Sequence, residues 1–259
     1  MIVETINTHK FKKVDGVYIL TEIKNQFEKD YLKVREKENR LYTDDEVKSL
    51  PFTTENITHK DEWKLREKSF LRFKEYLTSK KENLNILDLG CGNGWFCGQL
   101  SKHFNNSFYC ADVNMNELKQ AARVFNTDNI KYVYADIFNT EIRQENIDLI
   151  IINAAIQYFP DFKRLINKLL TLIRENGEIH IMDSPLYSND EVENAKERTR
   201  VYFSSIGFPQ MTDRYFHHTF SELDDFNYTI LYEPLSVRKK IKRLITSKDS
   251  PFHWILITK

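Results

Sequence analysis

Cysteine is scarce in this chain: Cys91, Cys97 and Cys110 are the only three among 259 residues, an odd number confined to a short stretch. They show neither Cys-x-x-Cys spacing nor a histidine at metal-ligand distance in sequence, which argues against a disulfide framework and a structural zinc and fits a reduced, cytosolic setting. Long apolar runs are missing too. The stretch Met1 to Lys13 has no uninterrupted hydrophobic segment of the kind an export signal needs, and the longest apolar run, Leu149 to Ile152, is closed off by Asp148 and Asn153. That length suits a fully buried strand rather than a membrane span. Charge of one sign is absent as well, with 38 Lys and Arg balancing 38 Asp and Glu. No net field draws the protein towards nucleic acid or anionic lipid, so neither is expected as a partner.

What remains, 41% apolar and 29% charged residues, is an ordinary globular composition. Its character changes near residue 83. Residues 1–82 are rich in Lys, Glu and Asp, contain one glycine (Gly16) and one proline (Pro51), and show helical periodicity. Between Asp61 and Thr78 the residues Trp63, Phe70, Phe73 and Leu77 recur near multiples of 3.6, predicting an amphipathic helix that buries one stripe. Tyr42 to His59, with Pro51 and several threonines, reads as a connecting loop. We therefore expect a helical N-terminal cap over 1–82.

Residues 83–259 read as a second unit, in which short aliphatic runs alternate with polar helical stretches. Strands are predicted over Asn85–Leu89, Ser107–Ala111, Lys131–Ala135, Ile147–Asn153 and Glu178–Asp183, with helices around Trp95–His103, Asn116–Val124 and Asp161–Arg174. Fully apolar strand cores between helices are the pattern of a mostly parallel, doubly wound α/β sheet. Two more runs, Asn227–Glu233 and Phe252–Thr258, lack a clear crossover helix and suggest an antiparallel pair at the sheet edge, for seven strands in all. The basic run Arg238 to Lys248 between them reads as a solvated connection.

The most informative stretch is Asn85-Ile-Leu-Asp-Leu-Gly-Cys-Gly-Asn-Gly-Trp-Phe. A strand ends at Leu89, the chain turns through Gly90, Gly92 and Gly94, and a helix follows; glycines there permit positive φ and close approach of a ligand. The dinucleotide fingerprint G-x-G-x-x-G would need glycine at position 95, which is Trp95. What stands instead, D-x-G-x-G-x-G from Asp88, resembles the first motif of the class I S-adenosylmethionine-dependent methyltransferases. The resemblance continues through Phe108-Tyr-Cys-Ala-Asp112, Tyr134-Ala-Asp136-Ile137-Phe138 and the run from Ile147 to Phe159, and covers roughly residues 83–185 in collinear order.

The resemblance implies S-adenosylmethionine as methyl donor and S-adenosylhomocysteine as product. It implies that Gly90, Cys91, Gly92, Asn93 and Gly94 approach the donor and that Asp88 anchors its methionine end. Asp112, followed by Val113, would take the ribose hydroxyls, Asp136 and Ile137 the adenine, and Asn153 and Ala154, after the fourth strand, would also contact the donor. A small molecule is the expected acceptor, because Asn153-Ala-Ala-Ile lacks the two prolines of the adenine- and glutamine-methylating tetrad and no large basic face is evident. A protein or RNA methyltransferase of the same fold, a nicotinamide-dependent oxidoreductase and a non-catalytic scaffold are the alternatives.

Methyl transfer from a sulfonium needs alignment in a dry pocket more than it needs an acid or base, so the catalytic set can be short or empty. His217, His218 and Tyr158 are the candidates for such a group, against packing roles for all three. Trp63, Tyr158, Asp183 and Tyr187 are expected to wall the acceptor pocket, and Arg66, on the cap helix, to reach the donor's carboxylate. His180, inside a strand, reads as a hydrogen-bonded core residue, and Cys91 as a small side chain turned away from the ligand. The oligomeric state is left open.

Overall fold

The computed structural model describes residues 11–23, 25–53, 57–81, 83–140, 142–234 and 249–259; the basic run from Arg238 lies outside them. The chain opens with strands β1 (Lys12–Val14) and β2 (Val17–Ile19), followed by helices α1 (Asn25–Lys37), α2 (Asp44–Ser49) and α3 (Lys60–Thr78). The alternating part comprises β3 (Asn85–Leu89), α4 (Trp95–Leu100), β4 (Ser107–Asp112), α5 (Met115–Val124), β5 (Ile130–Tyr134), β6 (Ile147–Asn153), α6 (Phe162–Leu172) and β7 (Ile173–Met182). After it come a short strand β8 (Leu186–Tyr187), helix α7 (Val192–Ser205), a second short strand β9 (His218–Thr219) that pairs with β8, and strands β10 (Asn227–Tyr232) and β11 (Trp254–Thr258).

The main sheet runs β1-β2-β5-β4-β3-β6-β7-β11-β10. Pairings from β2 to β7 are parallel, whereas β11 is antiparallel to both β7 and β10, which gives the expected antiparallel edge. The count differs from seven. Among the described residues the sheet has nine strands, because β1 and β2 form a hairpin that adds β2 alongside β5. Its turn is Asp15-Gly16, both at positive φ, the conformation that a two-residue hairpin requires and that Asp-Gly supplies. The region before residue 83 is thus not purely helical.

The expected loop from Tyr42 to His59 also contains an element. Helix α2 is held by a capping box in which the Thr43 hydroxyl accepts the Glu46 amide while the Glu46 carboxylate takes the Thr43 N–H. It docks on α5 through Gln120, whose amide donates to the Tyr42 carbonyl, and through Arg123, paired with Asp44 at 2.6 Å.

Side chains alternate across the sheet, and each face has its own apolar core. On one face Ile86, Phe108, Cys110 and Leu149 pack with Phe96 and with Trp63, Phe70, Phe73 and Leu77 of α3. Segments on both sides of residue 83 therefore share one core. On the other face Leu87, Leu89, Ile150 and Ile152 meet Leu165, Ile166 and Leu169 of α6. Each of these fully buried aliphatic side chains contributes about 1.5–3 kcal/mol. His180 lies in the first core, where its Nδ1 accepts the Trp254 indole N–H at 3.1 Å and its Nε2 meets Glu178 at 3.2 Å. No helix among the described residues is long and apolar enough to cross a membrane.

Candidate active site

The strand order reverses direction at β3, so the crevice at the carboxyl ends of β3, β4 and β6 is where an open α/β sheet holds a ligand. Two cavities occupy this end of the sheet. The first, about 490 Å³, is lined by Gly90, Gly92, Asp112, Val113, Asp136, Ile137, Ala154 and Tyr158, and by residues from outside the motif run, among them Phe27, Tyr31 and Glu117. The second, about 420 Å³, lies under α1 and α7 and is lined by Arg35, Arg40, Arg66, Arg198, Tyr187 and Tyr215 among others. They share Tyr31, Ala154 and Tyr158 as a common wall.

The glycine turn is built less from free amides than from close contacts. Gly90 and Cys91 both donate their N–H to the Ala111 carbonyl, at 2.8 and 3.2 Å, and Gly94 donates to Cys91. Gly90, Gly92 and Gly94 all have positive φ, and a Cβ at Gly90 would stand 2.5 Å from that of Ala155. A side chain there would press into the turn after β6. Gly92 faces the cleft, where a Cβ would come 3.4 Å from the Glu117 carboxylate. Cys91 and Asn93 do not line the cleft; the Cys91 thiol is buried and the Asn93 side chain turns back to the Trp95 amide at 3.4 Å.

Asp112, at the tip of β4, accepts the Gly92 amide on one oxygen and the Asn114 amide on the other, both at 2.8 Å. Each oxygen keeps a second lone pair for a ligand hydroxyl. Burial still pushes its carboxyl above the usual range despite those amides. Asp136 is held likewise, by the Phe138 amide and the Asn139 side chain, with Ile137 buried beside it. Glu117, on α5, joins them in the cleft wall, its carboxyl raised to about 7 by burial and by the neighbouring Asp112.

Asp88 is placed elsewhere. Alternation along β3 turns it, with Ile86, to the face that carries α3 and α4, and it does not line the cleft. Its carboxyl is 1% exposed, with Oδ2 lacking a partner, and burial raises it to about 7. The carboxyl shares this interior spot with the thiols of Cys97 and Cys110, the three ligand-type atoms lying within 4.8 Å of one another. Burial pushes both thiols up, so they are protonated at neutral pH.

The residues expected around the acceptor separate. Tyr158 and Tyr187 line the second cavity. Trp63 does not: it is a core residue, donating its indole N–H to the Tyr42 hydroxyl at 2.9 Å, because α3 turns its apolar stripe inward. Asp183 lies just past β7 at positive φ, accepting Ser69 at 2.7 Å and Ser250 at 2.9 Å, and is also outside the lining. Arg66 lines the second cavity rather than the first, with two bonds to Glu62 of 3.0 and 2.9 Å and its guanidinium over the Trp63 ring. Asn153 is buried and lines neither cavity, whereas Ala154 lines both, at positive φ.

Both candidate histidines are engaged. His217 meets the Thr199 hydroxyl at 2.8 Å and the Ala195 backbone, packs on Tyr187 and Tyr215, and is pushed below its ordinary pKa by burial. His218 is buried between the Phe159 carbonyl at 2.9 Å and Glu222 at 3.5 Å. Tyr158, by contrast, stands between the cavities in edge contact with Tyr31, Phe27 and Tyr215, and its hydroxyl has no hydrogen-bond partner among the described residues.

Sequence reasoning missed the wall built by α1 and α7. The spacing Phe27, Tyr31, Val34 is a helical apolar stripe that was legible in principle, whereas the arginines beside it resemble any solvated helix face.

A family model described as a methyltransferase domain matches residues 80–222, more than half of the chain. A malonyl-[acyl-carrier protein] O-methyltransferase of Acetivibrio thermocellus is 33% identical over 98 residues, 38% of this chain and 34% of that protein. An arsenite methyltransferase of Rattus norvegicus is 25% identical over 141 residues, 49% of this chain and 38% of that one. The chain spans about a third to a half of the length of the curated relatives it matches. Among solved structures, geranyl diphosphate C-methyltransferase from Streptomyces coelicolor A3(2), in complex with Mg2+, geranyl diphosphate and S-adenosyl-L-homocysteine, shares the fold. Its TM-score is 0.55 at 11% identity, over 79% of this chain and 84% of that one.

Proposed function

We propose, from the premise that this chain belongs to the methyltransferase-domain family and is an S-adenosylmethionine-dependent methyltransferase, that it methylates a small molecule seated in the cavity under α1 and α7. The observation that carries this reading is the shared wall of Tyr31, Ala154 and Tyr158, which sets a second cavity against the cleft at the glycine turn.

The cleft suits the cofactor on grounds of charge and shape. Glu22, Asp112, Glu117, Asp136 and Asp213 line it against one guanidinium, Arg214, so it favours a ligand of net positive charge. Gly92 keeps side-chain bulk out of the cleft, Gly90 lets the turn pack against Ala155, and Asp112 has lone pairs left for the two ribose hydroxyls. Asp136 and Ile137 would hold the adenine and Glu117 the methionine ammonium. When bound, the cofactor supplies a methyl group already activated on a sulfonium sulfur.

The protein's own share of catalysis is then positioning and exclusion of water. Ala154, fixed at positive φ by its N–H bond to the Met182 carbonyl at 2.9 Å, brings the β6 tip to the junction without side-chain bulk. Phe27, Tyr31, Tyr158 and Tyr215 enclose that junction in tilted and edge-on ring contacts and leave the Tyr158 hydroxyl available to an acceptor atom. His217 and His218, bound to Thr199 and to the Phe159 carbonyl, organise α7 and the turn after β6 and take no proton from substrate.

The test is calorimetric titration with S-adenosylmethionine and S-adenosylhomocysteine, alongside NADH and with Asp112→Ala, followed by transfer of labelled methyl to a metabolite panel. Saturable binding of the sulfur ligands only, lost in the variant, with label moving to a small molecule, is the expected result. Failure to bind either sulfur ligand, or label moving only to protein or RNA, overturns the reading.

A further inference from the structure

The two cavities carry opposite charge. Against the acidic cofactor cleft, the second cavity places four guanidiniums, Arg35, Arg40, Arg66 and Arg198, around two carboxylates, Glu38 and Glu62. Those carboxylates are already committed: Glu62 bonds both Arg40, at 2.6 Å, and Arg66, and Glu38 takes Arg40 at 3.3 Å and the Tyr202 hydroxyl. Arg35 reaches Glu38 at 3.4 Å and otherwise meets only Tyr31, through its hydroxyl and its ring, so it has one carboxylate at long range; Arg198, exposed at the cavity mouth, has no ion pair among the described residues. The hydroxyls of Tyr158, Tyr187 and Tyr215 have no hydrogen-bond partner among the described residues either. A cationic occupant would be repelled by this excess of positive charge, and a neutral one would displace water from the half-buried Arg35 and the tyrosine hydroxyls without replacing its bonds, which is costly.

Gln157 adds a second requirement. It is 8% exposed, lines the same cavity, and donates its amide N–H to the Ala154 carbonyl at 2.7 Å. That bond fixes the amide's orientation, because the flipped rotamer would set oxygen against oxygen. Its Oε1 is then a buried acceptor with no partner. An occupant that satisfies the cavity carries an N–H or O–H for Gln157 as well as an anion for the arginines.

We propose that the methyl acceptor is a small oxyanion, a carboxylate or phosphate, bearing a nearby N–H or O–H. Arg35 of α1 and Arg198 of α7, which line the same cavity, hold the anion, and Gln157 takes the N–H or O–H beside the Tyr158 junction. This rests on the functional reading above, which supplies the donor in the adjoining cleft.

The experiment uses the full chain saturated with S-adenosylhomocysteine and three matched sets of probes. Anionic probes are 3-hydroxypropionate for the carboxylate, with propionate as its hydroxyl-free control, and glycerol 3-phosphate for the phosphate; 1,3-propanediol is the neutral probe and ethanolamine the cationic one. Binding of at least one anionic probe is expected, with neither of the others binding, and the anion that binds identifies the headgroup. Arg198→Ala, on an exposed helix position, should weaken that binding by about tenfold or more, the loss of one charge-assisted contact, and leave S-adenosylhomocysteine affinity unchanged. Gln157→Leu should weaken the hydroxyl-bearing probe towards the affinity of propionate. The proposal is overturned if the neutral or cationic probe binds as well as the anions, if no anion binds at tens of millimolar, or if Arg198→Ala has no effect. Absence of S-adenosylhomocysteine binding is a different outcome, and it overturns the functional reading itself.

Discussion

Gly92 donates its backbone N–H to the Asp112 carboxylate at 2.8 Å, which ties the turn after β3 to the tip of β4. The Asn114 amide bonds the other oxygen, so this one side chain both shapes the glycine turn and presents its remaining lone pairs to the cleft. Replacing it with asparagine keeps the volume but turns an NH2 towards one of two amide donors. We expect Asp112→Asn to weaken S-adenosylhomocysteine binding by about tenfold or more, on the scale of one or two charge-assisted hydrogen bonds. Faster amide exchange at Gly90 to Gly94 should accompany it. Calorimetry with hydrogen exchange checks both, and unchanged exchange at the turn would separate ligand contact from loop support.

We expect Glu117, in the wall of the cleft, to couple cofactor binding to pH. Its carboxyl is raised to about 7 against an ordinary 4.5, so between these values it is protonated in the free protein. A cationic ligand in the same cleft favours the ionised form. Binding therefore expels a proton in that window, and affinity rises with pH up to about 7 and then levels off. Titrations near pH 6 in two buffers of different ionisation enthalpy should report release of up to about one proton, and Glu117→Gln should abolish most of it. Equal release by the variant would reassign the linkage to Asp112, which burial also raises.

How much of this was legible in the sequence differs by layer. Strands β3 and β6 fall where the apolar runs put them, Asn85–Leu89 and Ile147–Asn153, because a strand buried on both faces has no freedom to be anything but aliphatic. The hairpin was missed although Asp15-Gly16 is the turn dipeptide such hairpins use, since its strands have only three residues each and too short a period to stand out. Helix α2 was missed for the same reason, with its Thr43 to Glu46 capping box readable all along. In the site, Asp112 and Asp136 line the cleft at strand tips that the motif run locates. Trp63 and Asp88 carried chemistry-bearing side chains whose direction, set by the helix stripe and the strand's alternation, decided against the cavities. The arginine-lined wall depends on how α1 and α7 come together, which no local pattern encodes.

Gly98 sits inside α4, where replacement by alanine would ordinarily gain about 1 kcal/mol of helix propensity. Here a Cβ would lie 2.4 to 2.6 Å from ring carbons of Phe125, with no room to give in a core this tightly packed. We expect Gly98→Ala to destabilise the protein by roughly 1–3 kcal/mol, the usual cost of overpacking. Phe125→Leu should rescue part of the loss, so that the double variant is less destabilised than the sum of the singles. Urea unfolding of the four proteins checks the cycle, and strict additivity would show that the clash is relieved by backbone movement instead.

Asp88 makes stability depend on pH in an unusual direction for an aspartate. Burial raises its folded pKa to about 7 while the unfolded chain titrates near 3.8. The folded state then binds the proton more tightly, so this group's contribution is fully present below pH 4, falls as pH rises towards 7, and is flat above that. The gap between the folded and unfolded values corresponds to about 4 kcal/mol at the limit, and relaxation of the site would reduce that figure. Asp88→Asn removes the titration but sets an amide where a protonated carboxyl sat beside Cys97. The variant should be the less stable protein at pH 4 and gain on the natural one steadily up to pH 7. Urea midpoints at unit steps of pH give the difference curve directly. A difference that does not change between pH 4 and 8 would mean that the carboxyl ionises in place and that the buried cluster accommodates the charge.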